Sequence, residues 1–249
     1  MRKIEQLVHS RTRVRARHAL MPLEGFPISR LPSCPAAEVR VLASPALGAQ
    51  FVQMLVDLPP RENFSVQEEA GVETFYFVVS GKGSAKDSAT HALSGGSFGL
   101  VPPGVSVQFA AEDSLRLLIL HKCYEPAAGV EMFNAMYGNE SHVKKEIWAE
   151  NPHSLLQTLI PDEMKFDLAM NIFTFDPGHG LPIVETHVME HGLLFLSGKG
   201  LYFLEDSWIE VEKDDFIWMG PYCPQSFYAT GPTASRYIYY KNVNRRVPV

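Results

Sequence analysis

Two segments of this chain, Val78-Val79-Ser80-Gly81-Lys82-Gly83 and Phe195-Leu196-Ser197-Gly198-Lys199-Gly200, carry the same tetrapeptide after the same kind of apolar run, 117 residues apart. The same offset sets Glu73 on Glu190 and Gln108 on Gln225. Solenoids and propellers repeat every ~20–50 residues, so an offset this long implies two whole domains made by duplication. A chain of 249 residues is long enough to hold both. We expect an N-terminal arm over 1–40, a first barrel over 41–125, a linker over 126–154 and a second barrel over 155–249.

Each half is built from short apolar runs between turn signals: Phe51 to Leu58, Thr74 to Val79, Ser97 to Val101 and Leu115 to His121, then Met170 to Phe175, Leu193 to Leu196, Phe216 to Met219 and Tyr237 to Tyr240. They are too brief for helices and rich in Val, Ile, Phe and Tyr, which predicts an all-β chain. In the linker, Glu131 to Tyr137 has the composition for one or two helical turns. The Ser-Gly-Lys-Gly segments lack the spacing of a Walker loop and separate two β-rich runs, which predicts hairpin turns in which Gly supplies a positive φ.

Charge and cysteine usage exclude several function classes. Lys plus Arg number 22 against 28 acids, a formal charge of -6, whereas a nucleic-acid or anionic-membrane binder needs a basic surface. Eight of those cations lie in residues 1–40 (Arg2, Lys3, Arg11, Arg13, Arg15, Arg17, Arg30 and Arg40), which predicts a basic arm lying on its own acidic body or on a neighbouring subunit. No apolar run reaches the ~18 residues of a membrane span, and no secretory signal is visible. Cys34, Cys123 and Cys223 are odd in number and far apart, which fits a reducing, cytoplasmic setting and neither a disulfide framework nor a zinc cluster.

The chemistry concentrates in Glu185-Thr186-His187-Val188-Met189-Glu190-His191. Were the segment a strand, Glu185, His187 and His191 would point to one face and Thr186, Val188 and Glu190 to the other. One carboxylate and two imidazoles on one face predict a metal site, and the repeat points to Gln225 as a fourth ligand. A donor set without thiolate favours Mn or Fe(II) over structural zinc. Cys223 falls on the opposite face of an extended strand from Gln225. The first half has Glu68, Ala70 and Thr74 at the equivalent positions, with Gln108 retained, so it is expected to hold no metal. Tyr237, Tyr239 and Lys241 alternate along one strand face, which fits core tyrosines with a surface lysine as well as it fits a cation beside a metal that meets a substrate carboxylate.

The spacing Glu-x-His-x3-His-x6-Gly up to Gly198 resembles a variant of the first cupin motif, and Asp215 to Gln225 resembles the second. The exchange of ligand types between Glu185 and His191, the Gln in the second motif, the duplication and the tail Ser235 to Lys241 together resemble the (S)-ureidoglycine aminohydrolases, manganese bicupins of allantoin degradation. The resemblance runs from about Leu42 to the C-terminus. It implies two tandem cupin barrels (double-stranded β-helices), Mn(2+) held by Glu185, His187, His191 and Gln225, and a substrate site completed by Tyr202, Tyr237 and Lys241. The implied reaction releases ammonia from (S)-ureidoglycine to give (S)-ureidoglycolate, with Glu185, Lys241 and Tyr237 in catalytic roles and Glu185 as both ligand and proton carrier. Another metal cupin, such as an Fe(II) dioxygenase or isomerase, or a non-enzymatic ligand-binding bicupin, fits the same ligands. A small-molecule substrate, no nucleic-acid or membrane partner and a homo-oligomer are expected.

Overall fold

The computed structural model describes residues 11–32 and 34–246, so Arg2 and Lys3 of the basic arm lie outside the described residues. The chain forms two compact units, one of residues 27–142 and one that joins the arm up to Phe26 to the chain from Val143 onward. The long elements among the described residues are strands, punctuated by three short 3-10 turns at Leu23–Gly25, Pro45–Leu47 and Glu140–His142. No helix among them is long and apolar enough to cross a membrane.

In the N-terminal unit a seven-stranded antiparallel sheet runs in the order Met136–Asn139, Ser97–Val101, Val72–Ser80, Leu115–Cys123, Val52–Leu58, Cys34–Ala43 and Ser29–Leu31. A smaller sheet, in the order Asn63–Val66, Val107–Ala111, Lys82–Lys86 and Thr90–Ser94, faces it. Alternation along these strands sends Val56, Tyr76, Val78, Phe109, Leu117 and Ile119 into one shared core. The C-terminal unit repeats the plan. Its large sheet runs His18–Met21, Phe216–Met219, His191–Ser197, Ser235–Asn242, Leu168–Phe175, Asn151–Thr158 and Glu146–Trp148, with Arg13–Val14 added outside His18–Met21. Its small sheet is Ser207–Glu212, Lys199–Leu204 and Gln225–Ala229. The core between them is aromatic, with Phe173, Phe175, Phe195, Tyr202, Phe227, Tyr237 and Tyr239 packed ring against ring.

The described part of the basic arm divides: residues up to Phe26 complete the C-terminal unit, whereas Arg30 and Arg40 lie in the strands Ser29–Leu31 and Cys34–Ala43 of the N-terminal unit. His18–Met21 pairs with Phe216–Met219, Arg11 bonds the buried carboxylate of Asp215 and lies 3.0 Å from Glu212, and Arg17 reaches Glu205. In the N-terminal unit the matching edge, beside Ser97–Val101, is covered instead by Met136–Asn139.

Three local expectations are corrected. Glu131 to Tyr137 makes no helical turn: its backbone is irregular up to Met136, where the edge strand begins, because pairing with Ser97–Val101 outweighs local propensity. The Ser-Gly-Lys-Gly segments are not hairpins. Val72–Ser80 and Lys82–Lys86 belong to different sheets, as do His191–Ser197 and Lys199–Leu204, so each glycine turns a corner between sheets. Gly81 has φ +99° and a Cβ there would stand 1.9 Å from the Ser114 carbonyl; Gly198 has φ +78°.

Gln108 is likewise not the partner of Gln225. In the C-terminal unit the hairpin pairs Phe203 with Trp208 across four residues; in the N-terminal unit it pairs Lys86 with Thr90 across three. That extra residue moves the offset to 118, so that Phe227 corresponds to Phe109 and Gln225 to Val107. With a side-chain period of two, the slip leaves Gln108 exposed while Gln225 is buried.

Candidate active site and metal centre

The segment from Asp176 to Glu190 is a loop rather than the strand expected of Glu185 to His191. Two prolines, Pro177 and Pro182, and the positive φ of Gly178 keep it from joining a ladder. Glu185 is nevertheless fixed by a two-way backbone bridge: its N–H donates to the Gln225 carbonyl at 2.8 Å, and its carbonyl accepts from the Gln225 N–H at 2.9 Å. The Tyr222 N–H ties down the His187 carbonyl at 2.8 Å. His191 is the first residue of its strand, paired with Met219 on one side and Lys241 on the other.

These elements enclose a cavity of about 120 Å³ at one end of the C-terminal barrel. All seven residues singled out in the sequence line it: Glu185, His187, His191, Tyr202, Gln225, Tyr237 and Lys241. Trp148, Phe173, Leu181, Met189, Leu193, Met219 and Tyr239 complete the wall; apart from Tyr239, which shares a strand face with Tyr237 and Lys241, no motif marked them as site residues.

At the centre, Nε2 of His187 lies 3.2 Å from Nε2 of His191 and 3.0 Å from the side-chain amide of Gln225. His191 Nδ1 is 2.9 Å from the Tyr240 carbonyl and donates to it, which leaves Nε2 carrying the lone pair that faces the cavity. Two donors bound at about 2.1 Å to one ion at right angles stand about 3.0 Å apart, so this convergence suits a shared cation. The Tyr202 hydroxyl donates to Gln225 Oε1 at 3.2 Å and Gln225 Nε2 faces His187; a half-turn of the amide, which leaves its shape unchanged, aims Oε1 at the imidazoles and the NH2 at the Tyr202 phenol. Among the described residues no three His, Cys, Asp or Glu side chains close a cage; the convergent core is two imidazoles and an amide, with the Glu185 carboxyl facing the same space.

Burial governs the electrostatics. It lowers His191 to about 3, helped by His187, and lowers His187 as well, so both imidazoles are neutral at pH 7, as metal ligation requires. Burial also raises the carboxyl of Glu185, an effect that the charge of Lys241 opposes. Tyr202 and Tyr237, each 2% exposed, are pushed far up by burial and serve as neutral hydrogen-bonding groups. The cavity thus combines neutral donors, a partly desolvated carboxyl and one ammonium.

No family model matches the chain. It is 36% identical over 239 residues to the (S)-ureidoglycine aminohydrolase of Escherichia coli (strain K12), covering 93% of this chain and 90% of the relative. To that of Arabidopsis thaliana it is 32% identical over 232 residues, covering 92% and 76%. Among solved structures, protein Ylba from E. coli superposes with a TM-score of 0.86 at 33% identity, over 98% of this chain and 99% of the other. A cupin 2 conserved barrel domain protein from Leptotrichia buccalis shares the fold, with a TM-score of 0.59 at 17% identity over 83% and 89%. The all-β architecture is that of a cupin.

Proposed function

This chain belongs to the (S)-ureidoglycine aminohydrolase family, and from that premise we propose that the cavity of its C-terminal barrel is where (S)-ureidoglycine is hydrolysed to (S)-ureidoglycolate and ammonia. The observation that carries this reading is the convergence on one small cavity of two neutral imidazoles, an amide, a carboxyl and an ammonium. The chain is a hydrolase acting on a small molecule.

We assign one Mn(2+) to Glu185, His187, His191 and Gln225. The donor set fits: two imidazole nitrogens with free lone pairs, an amide oxygen and a carboxylate, without thiolate. Bound there, the ion supplies Lewis acidity to the end of the substrate that carries the amine and carboxylate. The remaining roles belong to the chain. Lys241 pairs with the substrate carboxylate, which supplies the counter-charge a partly buried ammonium needs. Glu185, its carboxyl raised by burial, carries the proton to the departing amine as the C–N bond opens, and a water bonds through its oxygen to the same carbon while returning a proton to Glu185. Tyr202 and Tyr237, neutral and buried among aromatic rings, donate to substrate oxygens and keep water out of the inner end of the barrel.

We place the metal-bearing function in residues 155–249, with 41–125 a barrel that holds no metal. A homo-oligomer in the cytoplasm, away from nucleic acid and membrane, is part of the same reading, consistent with three free cysteines. The test is to incubate Mn-loaded protein with freshly generated ureidoglycine and follow ammonia release and product chirality. Release of ammonia with (S)-ureidoglycolate is the expected result; racemic product at the uncatalysed rate sinks the proposal.

A further inference from the structure

Tyr239 and Asn171 form a pair that the roles above leave unused. Asn171, 3% exposed, sits opposite Tyr239 in the register of Leu168–Phe175 with Ser235–Asn242, and its Nδ2 donates to the Tyr239 hydroxyl at 3.3 Å. Its Oδ1 is buried and meets no hydrogen-bond partner among the described residues. Tyr239 lines the active cavity, with its ring stacked on Phe173 at 5.6 Å and 9° and set edge-on to His191 at 5.5 Å. Behind it, Asn171 lines a second cavity of about 380 Å³ that shares Met189 and Lys241 with the first.

The other barrel supplies the control. By strand register, Met54 stands where Asn171 does and Ile119 where Tyr239 does. The same strands and register form with Met54 and Ile119 there, so the pair is not required by the fold. A buried amide with one satisfied group is a poor way to fill that space, and its single bond therefore carries the reason for its presence. A phenol oxygen that accepts from Asn171 directs its own proton elsewhere, and the open side is the cavity.

We infer that Tyr239 donates its hydroxyl proton in a hydrogen bond to an oxygen of the bound substrate, and that Asn171 is the positioning residue that turns the proton that way. This rests on the reaction assigned above; the oxygen is one of the carboxylate or ureido carbonyl oxygens of ureidoglycine. Asn171 touches nothing that reacts and acts only through Tyr239.

A double-mutant cycle tests it. Tyr239→Phe is expected to lower kcat/KM about 10- to 100-fold and Asn171→Leu by a similar factor, with metal content unchanged in both. The double variant is expected to stay within twofold of Tyr239→Phe alone, because Asn171 has no hydroxyl left to orient. Losses that multiply in the double variant, or a Tyr239→Phe enzyme at wild-type kcat/KM, overturn the inference. Should Asn171→Leu fail to fold, Asn171→Asp keeps the shape and, accepting only, draws the phenol proton away from the cavity; its loss must likewise vanish in the Tyr239→Phe background. Two readouts do not need turnover. In protein carrying 13Cζ-tyrosine, the Tyr239 signal, identified by its absence in Tyr239→Phe, is expected to move in the Asn171 variants while those of Tyr202 and Tyr237 stay. Calorimetric affinity for hydantoate, the substrate skeleton without the leaving amine, is expected to fall at least fivefold in Tyr239→Phe and in Asn171→Leu. Wild-type protein that binds hydantoate but releases no ammonia from ureidoglycine sinks the proposed reaction, and these two readouts still decide the Tyr239–Asn171 pair: an unmoved signal or an unchanged affinity refutes it.

Discussion

The two barrels share a frame and differ in what fills one end of it. Where the C-terminal barrel has His191 paired across to Lys241, the N-terminal barrel has Thr74 paired to His121, with Thr74 Oγ1 3.1 Å from His121 Nδ1. Tyr237 and Tyr239 correspond to Leu117 and Ile119, Tyr202 to Ala85, Gln225 to Val107 and Asn171 to Met54. The strands and corner glycines of the two are alike although one core is mostly aliphatic and the other aromatic, so the fold is independent of the polar set. The chemistry sits on one copy, at one end of a barrel that the other copy forms without those residues.

The sharpest way to break this comparison is to write the first barrel's residue into the second. His191→Thr, and equally His187→Ala, should abolish both metal binding and ammonia release, a loss of at least ~1000-fold, because each removes one of two imidazoles that no neighbour can replace. Elemental analysis of the wild-type protein should give one metal per chain. Two metals per chain would mean that the N-terminal barrel is not the bare frame described above.

Lys241→Met should come next, with metal content near normal and kcat/KM down about 100-fold. Lys241 is no ligand, but it lines the cavity and raises the local positive potential that both Glu185 and His187 feel. Normal turnover in this variant would remove the substrate-carboxylate role. Gln225→Val, the residue of the other barrel, should weaken metal affinity about 10- to 100-fold while the protein folds normally, as measured by competition with a chelator. Unaltered affinity would leave the site with three ligands.

Much of this contrast is legible in the amino-acid sequence because it rests on periodicity and on residue type. The eight apolar runs became strands since each alternates or is wholly buried, and Glu185, His187 and His191 reached one cavity. They did so for a reason other than the one the alternation offered. A loop held by the Glu185–Gln225 backbone bridge, not a strand face, brings the first two to the third. Gln225 reached the cavity although its repeat partner was misassigned, because a one-residue insertion in a hairpin is invisible in a repeat matched by identities and decisive for which face a side chain takes. Asn171 carries no motif at all. Its meaning lies in a cross-strand pairing that only register reveals.

The comparison has a thermodynamic side. Leu117→Ala in the N-terminal core should cost about 2–5 kcal/mol through the cavity it leaves, yet leave kcat/KM unchanged at temperatures where the protein is folded. A fall in kcat/KM in folded Leu117→Ala protein would show that the first barrel takes part in catalysis.

The smallest expected effect is a pH dependence confined to the C-terminal unit. Asp215, where the N-terminal barrel has Ser97, is buried beneath the arm, and burial raises its carboxyl to about 6 against the opposing help of the Glu212 N–H and of Arg11. The folded state therefore holds the proton more tightly than the unfolded chain, in which an aspartate titrates near 4. Below about pH 4 the residue is protonated in both states and its contribution is intact. Between about 4 and 6 the unfolded state ionises first, so the contribution is lost as pH rises, and above 6 the loss is complete. Trp148, Trp208 and Trp218 are all the tryptophans of the chain and all lie in the C-terminal unit, so their fluorescence in urea reports this barrel alone. Relative to Asp215→Asn, which does not titrate, wild-type stability should decline from pH 4 to pH 6 and then run parallel to the variant. A wild-type curve that instead gains on the variant over that interval would mean that Arg11 outweighs burial, and that the arm is fastened to the barrel by an ionised pair.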